Sequence, residues 1–210
     1  MNFFDFRLKI KEFPLVSIQN LKLAGIYNPL LKMQLSRWVG KNKIIKLRKN
    51  IYILNSDERR INPSRMFLAK QIYSPSYISM EYALSYYGLI PERVADITSL
   101  TTRKTAIFKN EYGVFSYRHV QPCFFTGFTE SRDEENLFYF IATPEKAVVD
   151  FIYFNMAQFS KNEKEVFLES FRFQNLERLK KNKMASYAQL VRNRKLFRIV
   201  KELGKLIRRQ

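Results

Sequence analysis

Glu145, Lys146 and Asp150 are three ionisable residues within a short stretch of chain, and such a cluster is the first place to look for chemistry. Adjacent Glu145 and Lys146 do not give the Glu-x-Lys spacing of a restriction-type nuclease site, and no acidic partner on a neighbouring strand is evident. Glu145 falls in the first turn of an expected helix, where a carboxylate favours the positive end of the helix dipole. Asp150 follows Lys146 by one helical turn, which predicts a surface pair. His119 is the single histidine and Cys123 the single cysteine, so neither a zinc-type ligand cluster nor a histidine-based triad can be assembled. No glycine-rich phosphate loop is present, and we expect no catalytic residue, no metal and no cofactor.

The residues that do suggest chemistry are basic. The formal net charge is +18, divided as +9 over residues 1–60, −1 over 61–160 and +10 over 161–210. Two basic ends around a neutral middle imply a polyanionic partner, because neutralising phosphates releases counterions. In the first segment Lys32, Ser36 and Arg37, with Gln34 at the margin, share the polar side of one expected helix. Lys41, Lys43, Lys46, Arg48 and Lys49 follow on or beside an expected hairpin. Near the other end Arg192, Arg194, Lys195, Arg198 and Lys201, then Lys205, Arg208 and Arg209, form a second array on an amphipathic stretch. That array is a candidate for contact with DNA backbone beside the first site, or with a partner protein.

Placing those side chains requires elements. Asn28-Pro29 is a helix start, and Leu31, Leu35, Trp38 and Val39 then recur at helical spacing to Gly40, giving an apolar face opposite Lys32, Ser36 and Arg37. Before it lie a short helix over Phe3 to Ile10 and another from Ile18 to Ala24, capped by Ser17 and stopped by Gly25. After it, Lys43 to Leu47 and Ile51 to Leu54 are two β-rich runs joined by Arg48-Lys49-Asn50, where Asn tolerates a left-handed backbone. Helix, helix, helix and basic hairpin predict a winged helix-turn-helix over residues 1–60.

Residues 61–210 read as a second, mixed α/β domain with a small, mostly antiparallel sheet and C-terminal helices, making the whole chain α+β. Asn62-Pro63-Ser64 starts a helix, Ser74-Pro75-Ser76 breaks the chain, and Ser79 to Tyr87 is helical up to Gly88. Strands are expected at 96–102, 105–108, 114–120, 123–126 and 138–141. Helices follow from Thr143-Pro144 to Asn155, from about Ser160 to Phe173, and after a capping box at Ser186 and Gln189. Apolar content of 46% and aromatic content of 15% exclude disorder. No apolar run is long enough to span a bilayer, and the start lacks a signal-peptide pattern, so a cytoplasmic protein is expected.

Residues 75–91, PSYISMEYALSYYGLIP, resemble a segment of the AbiEi-family antitoxins. So do Thr101-Thr102-Arg103-Lys104, Gly113 to His119, and Thr143 to Asp150, in the family's order and downstream of the expected winged helix. The resemblance covers most of residues 15–155. It implies an antitoxin of a type IV toxin–antitoxin pair, whose winged helix represses the shared promoter by binding inverted repeats in duplex DNA. The second domain would then counteract a nucleotidyltransferase-like toxin without a stable complex. Asn50 stands where the family's wing turn has Gly. The expectation is therefore an autorepressor and antitoxin, not an enzyme. The alternatives are a nuclease using Glu145, Lys146 or Asp150, and an RNA-binding or protein-docking module using the basic C-terminal stretch.

Overall fold

The computed structural model describes residues 1–159 and 165–207 as a mixed α+β protein. The expected start of a helix at Ser160, and Arg208 and Arg209, lie outside the described residues.

The first segment begins with α1 (Phe3–Ile10), started by the Asn2 side chain accepting from the Asp5 N–H. Strand β1 (Val16–Ser17) leads into α2 (Ile18–Leu23), where Ser17 Oγ accepts from the Asn20 N–H. Gly25, at φ +66°, ends that helix in a conformation that costs glycine little. Asn28 Oδ1 accepts from the Leu31 N–H at 2.8 Å and opens α3 (Leu31–Gly40), which buries Leu31, Leu35 and Trp38. Strands β2 (Ile44–Arg48) and β3 (Ile51–Leu54) form the hairpin, with Asn50 at φ +68° in its turn. Their sheet has the order β1-β3-β2 and is antiparallel throughout.

Beyond a loop come α4 (Arg65–Ile72), β4 (Ser76–Ile78), α5 (Met80–Tyr86), β5 (Ile97–Thr101), β6 (Ala106–Asn110) and β7 (Gly113–His119). Then follow β8 (Phe128–Arg132), β9 (Phe138–Ala142), α6 (Pro144–Asn155), α7 (Lys181–Gln189) and α8 (Arg194–Leu206). The second sheet is larger than expected and mixed, with three antiparallel pairings and two parallel ones. It has six strands in the order β6-β7-β5-β4-β9-β8, and β5–β7 and β4–β9 pair in parallel. Strand β4, three buried residues between Pro75 and the cap Ser79 in a stretch that reads as a chain break, joins β6-β7-β5 to β9-β8 at the sheet centre.

Other boundaries also move. Ser64, not Asn62, caps α4 by accepting from the Phe67 N–H. Residues 123–126 are not a strand, because Pro122 opens a 3₁₀ turn through Phe124; the strand comes later, at β8. Ser186 lies inside α7 and donates to the Lys183 carbonyl, so it caps nothing, and Asn193 caps α8 instead. The described end of the segment expected to be helical up to Phe173 is one π-type turn, Val166–Ser170.

Successive strand residues point to opposite sides, and their contacts order the layers. Tyr117 donates to the Ala69 carbonyl of α4, whereas its neighbour Arg118 stacks on Phe154 of α6. So α4 covers one face of the large sheet, and α5 and α6, with α7 and α8 packed on α6, cover the other. The hairpin sits on the α4 side, where Asn110 donates to the Leu47 carbonyl and Arg48 stacks over Phe108, which pairs with Phe115. Strand β3 is buried along its whole length, with Tyr52 and Leu54 in the core built on α3, and Ile51 and Ile53 in the core of the second segment.

Candidate nucleic-acid interface

The apolar side of α3 fixes what its other side presents. With Leu31, Leu35 and Trp38 pinned against Phe6 and the hairpin, Lys32, Met33, Ser36 and Arg37 stand exposed in one band. Trp38 is held by the rings of Phe6 (4.9 Å) and Phe3 (5.4 Å between centroids), so the helix is clamped by α1 rather than resting on the hairpin alone. Gln34 is half-buried and turned away from the band, its amide donating to the Met1 carbonyl at 2.7 Å. It ties α3 to the N-terminus, and its position at the margin of the apolar face is the reason.

The basic residues after α3 divide into two groups. Lys41, Lys46 and Lys49 are exposed. Lys43 is half-buried, its ammonium 4.4 Å from the Phe3 ring centroid. Arg48 is half-buried between segments, its guanidinium 5.7 Å from the Phe108 centroid and 6.0 Å from that of Tyr73. Arg48 therefore joins the hairpin to the second segment and does not project from the turn as a minor-groove finger. A hollow of about 510 Å³ opens beside it, lined among others by Gln19, Asn20 and Lys22 of α2, Lys49 and Asn50 of the turn, and Gln71. The α2 residues were not among the sequence candidates; their signal was a polar run, Gln19-Asn20, followed by Lys22 on the exposed side of a capped helix.

In the second array Arg192, Arg194, Lys195, Arg198 and Lys201 are all exposed, on α8 or the loop before it. They do not adjoin α3. Helix α8 packs with α7 on α6, on the side of the large sheet opposite α4 and the hairpin. His119 and Cys123 are exposed, and His119 Nδ1 lies 2.9 Å from the Arg103 carbonyl oxygen.

The largest departure from expectation is at Lys146 and Asp150. They pair, as their one-turn spacing predicts, but both side chains are 0% exposed. Lys146 Nζ donates to Asp150 Oδ1 and to the Tyr77 hydroxyl (3.0 Å), while Tyr77 (3.1 Å) and Ser79 (2.7 Å) donate to Asp150 Oδ2. Phe124 stacks on the ammonium, its centroid 3.6 Å away. Burial pushes the Asp150 carboxyl above the usual carboxylate range, against the attraction of Lys146 and the two hydroxyl bonds. Burial likewise draws the Lys146 ammonium down, against Asp150. The pair is inside because α6 is apolar almost all round, which the adjoining Ala147-Val148-Val149 and Phe151-Ile152 announce. Glu145 is nearly buried too and accepts from the Lys180 N–H, joining α6 to the start of α7.

Beside this network Met80 is buried at φ +55°, a left-handed conformation costing a non-glycine residue about 1–3 kcal/mol. Thr98 holds it there from both ends of Ser79, its carbonyl accepting from the Ser79 N–H and its hydroxyl donating to the Ser79 carbonyl. Among the described residues no group of three or more His, Cys, Asp or Glu side chains is placed to hold a metal ion, and no helix is long and apolar enough to cross a membrane. Compared with models of known protein families and with curated proteins, the chain matches none.

Proposed function

We propose that the protein is a sequence-specific DNA-binding autorepressor that also acts as an antitoxin of the type IV kind. The observation that carries the first half is the band of Lys32, Ser36 and Arg37 on α3, exposed because the opposite side is clamped in a core. The order α1-β1-α2-α3-β2-β3, with a β1-β3-β2 sheet, is compatible with a winged helix and supports reading α3 as the helix that enters the major groove. In this reading Lys32, Ser36 and Arg37 reach base edges, and Lys41, Lys46 and Lys49 neutralise phosphates. Lys22 and Asn20 of α2 line the same flank and extend the backbone contact.

The antitoxin half rests on the motif resemblance. Two of its blocks, residues 75–91 and 143–150, meet in space, since Tyr77 and Ser79 of the first bind Lys146 and Asp150 of the second. Counteraction of a nucleotidyltransferase-like toxin would then act through the second segment, without a stable complex. Against the nuclease alternative, Lys146 and Asp150 are closed from solvent and spend their polar atoms on each other and two hydroxyls, and Glu145 accepts from the Lys180 N–H.

The test is fluorescence anisotropy of the full chain with duplex DNA from upstream of its own gene, against scrambled duplex, across a salt series. Preference for the upstream duplex by about a thousandfold near physiological salt is expected. Lys32→Ala and Arg37→Ala should each cost roughly 1–3 kcal/mol where the side chain contacts a base. Wild-type affinity in the double variant would overturn the docking face.

A further inference from the structure

Helix α8 carries a feature that the function just proposed leaves unused. At about 100° and 1.5 Å per residue, Arg194, Arg198, Lys201 and Lys205 fall within roughly a 60° arc over some 16 Å of helix. The arc lies opposite Leu196, Ile199, Val200 and Leu203, all buried, and its four residues are all exposed. Lys180 and Lys183, at the start of α7, add two more exposed cations to this end of the molecule. Among the described residues Glu202, at the margin of the arc, pairs with Lys205 at 2.6 Å.

This stripe and α3 pack on opposite sides of the large sheet, α3 through the hairpin that meets β6 and α8 through α6. From α3 to α8 the chain interposes the small sheet, the large sheet with α4, and then α6. Packed layers are about 10 Å apart, so layers of the fold lie between the two basic faces. We propose that the α8 stripe is a second phosphate-binding face that takes the backbone of a separate duplex DNA segment, so that one chain bridges two duplexes.

The chemistry of the face selects a duplex backbone. B-DNA presents one charge per roughly 1.7 Å of axis, so a row of cations about 4.5–6 Å apart along a helix can neutralise several phosphates without reading sequence. Binding of single-stranded nucleic acid needs exposed aromatic rings for base stacking. The aromatic residue on α8, Phe197, is half-buried with the Lys201 ammonium over it, 4.6 Å from its centroid.

The inference rests on the DNA-binding reading, and the experiment separates the two. The full chain is bound to bead-immobilised upstream duplex, and a labelled duplex of unrelated sequence is added at low salt. Wild-type protein should retain the labelled duplex. The R194E/R198E/K201E variant, with its folding checked by thermal melting, should lose that retention by at least tenfold while keeping its anisotropy affinity for upstream DNA. If upstream and scrambled duplexes bind alike, the repressor reading fails, yet retention between two unrelated duplexes that disappears in the stripe variant still establishes the second face. No retention by wild type, unchanged retention in the stripe variant, or preferential capture of hairpin RNA or polyglutamate would overturn the proposal.

Discussion

Replacing Lys146 by Met keeps most of the aliphatic stem against Phe124 but removes the ammonium paired with a fully buried Asp150. Breaking a buried ion pair from one side costs about 3–5 kcal/mol, since the remaining charge is stranded. The upper half of that range applies here, because neither side chain is exposed and Lys146 Nζ also donates to Tyr77. Asp150→Asn should cost about as much, by leaving the ammonium without its carboxylate. The double variant should not be additive. An amide at position 150 still accepts from Ser79 and Tyr77, and no charge remains buried, so K146M/D150N should lose only about 0–2 kcal/mol. The cycle then gives a coupling of several kcal/mol, to be read from urea denaturation of the four proteins.

The same variant makes a pH prediction. Burial already raises the Asp150 carboxyl above its ordinary 3.8, and loss of Lys146 raises it further. A carboxyl whose folded value is raised contributes stability that is fully present below 3.8 and lost as pH rises through the folded value. The deficit of K146M should therefore be smallest in acid and grow towards neutral pH. Additivity of the single variants within about 0.5 kcal/mol, or a deficit that does not change with pH, would refute the reasoning.

Gly127→Ala probes the wall of this network. Its backbone is at φ +77°, and a Cβ would come within 2.8 Å of the Tyr187 ring and 3.0 Å of Lys146 Cδ, so a loss of about 2 kcal/mol is expected in thermal melting. Arg48→Ala should lower stability by about 1 kcal/mol through its lost contacts with Tyr73 and Phe108, with DNA affinity within a few-fold of wild type; the reverse pattern would return Arg48 to the DNA. Asp133→Asn should destabilise at neutral pH. Burial pushes that carboxyl up, but N–H groups of Ser64, Leu137 and Glu135 outweigh it and hold it below 3.8. Its contribution is present above 3.8 and lost as pH falls through the lower folded value, so the gap between variant and wild type in urea midpoint should close there.

The sequence was most legible where a local signal was complete. The Asn28 and Ser17 start signals, the 3.6-residue spacing of Leu31, Leu35 and Trp38, and the Thr143-Pro144 start each depend on residues within one or two turns. What was missed depends on partners far along the chain. Strand β4 is three residues long and shows no alternation, yet β5 and β9 on either side make it central. The burial of Lys146 and Asp150 follows from that same strand, which delivers Tyr77 and Ser79 across some seventy residues of chain. A spacing of four in a helix says that two side chains meet; it does not say whether water meets them too.

The hairpin carries the remaining lesson, because its sequence did hold a signal of double burial. A wing with one side open should alternate, and Ile51-Tyr52-Ile53-Leu54 does not alternate at all. Four consecutive apolar residues require cover on both faces, and the structure supplies it, with α3 on one and the second segment on the other. A boundary drawn near residue 60 by charge and turn residues thus separates the chain but not the packing. Since β3 belongs to both cores, the direction of α3 is fixed relative to the large sheet, and with it the direction of the basic stripe on α8. The hairpin can offer DNA only its exposed side and turn, Lys46 and Lys49, while Arg48 is kept at the seam. A substitution that loosens the seam, such as Ile53→Ala, removes apolar contacts from the second core without touching the α3 band. It should destabilise the fold by about 2–4 kcal/mol, and change the relative placement of the two basic faces before it changes either face itself.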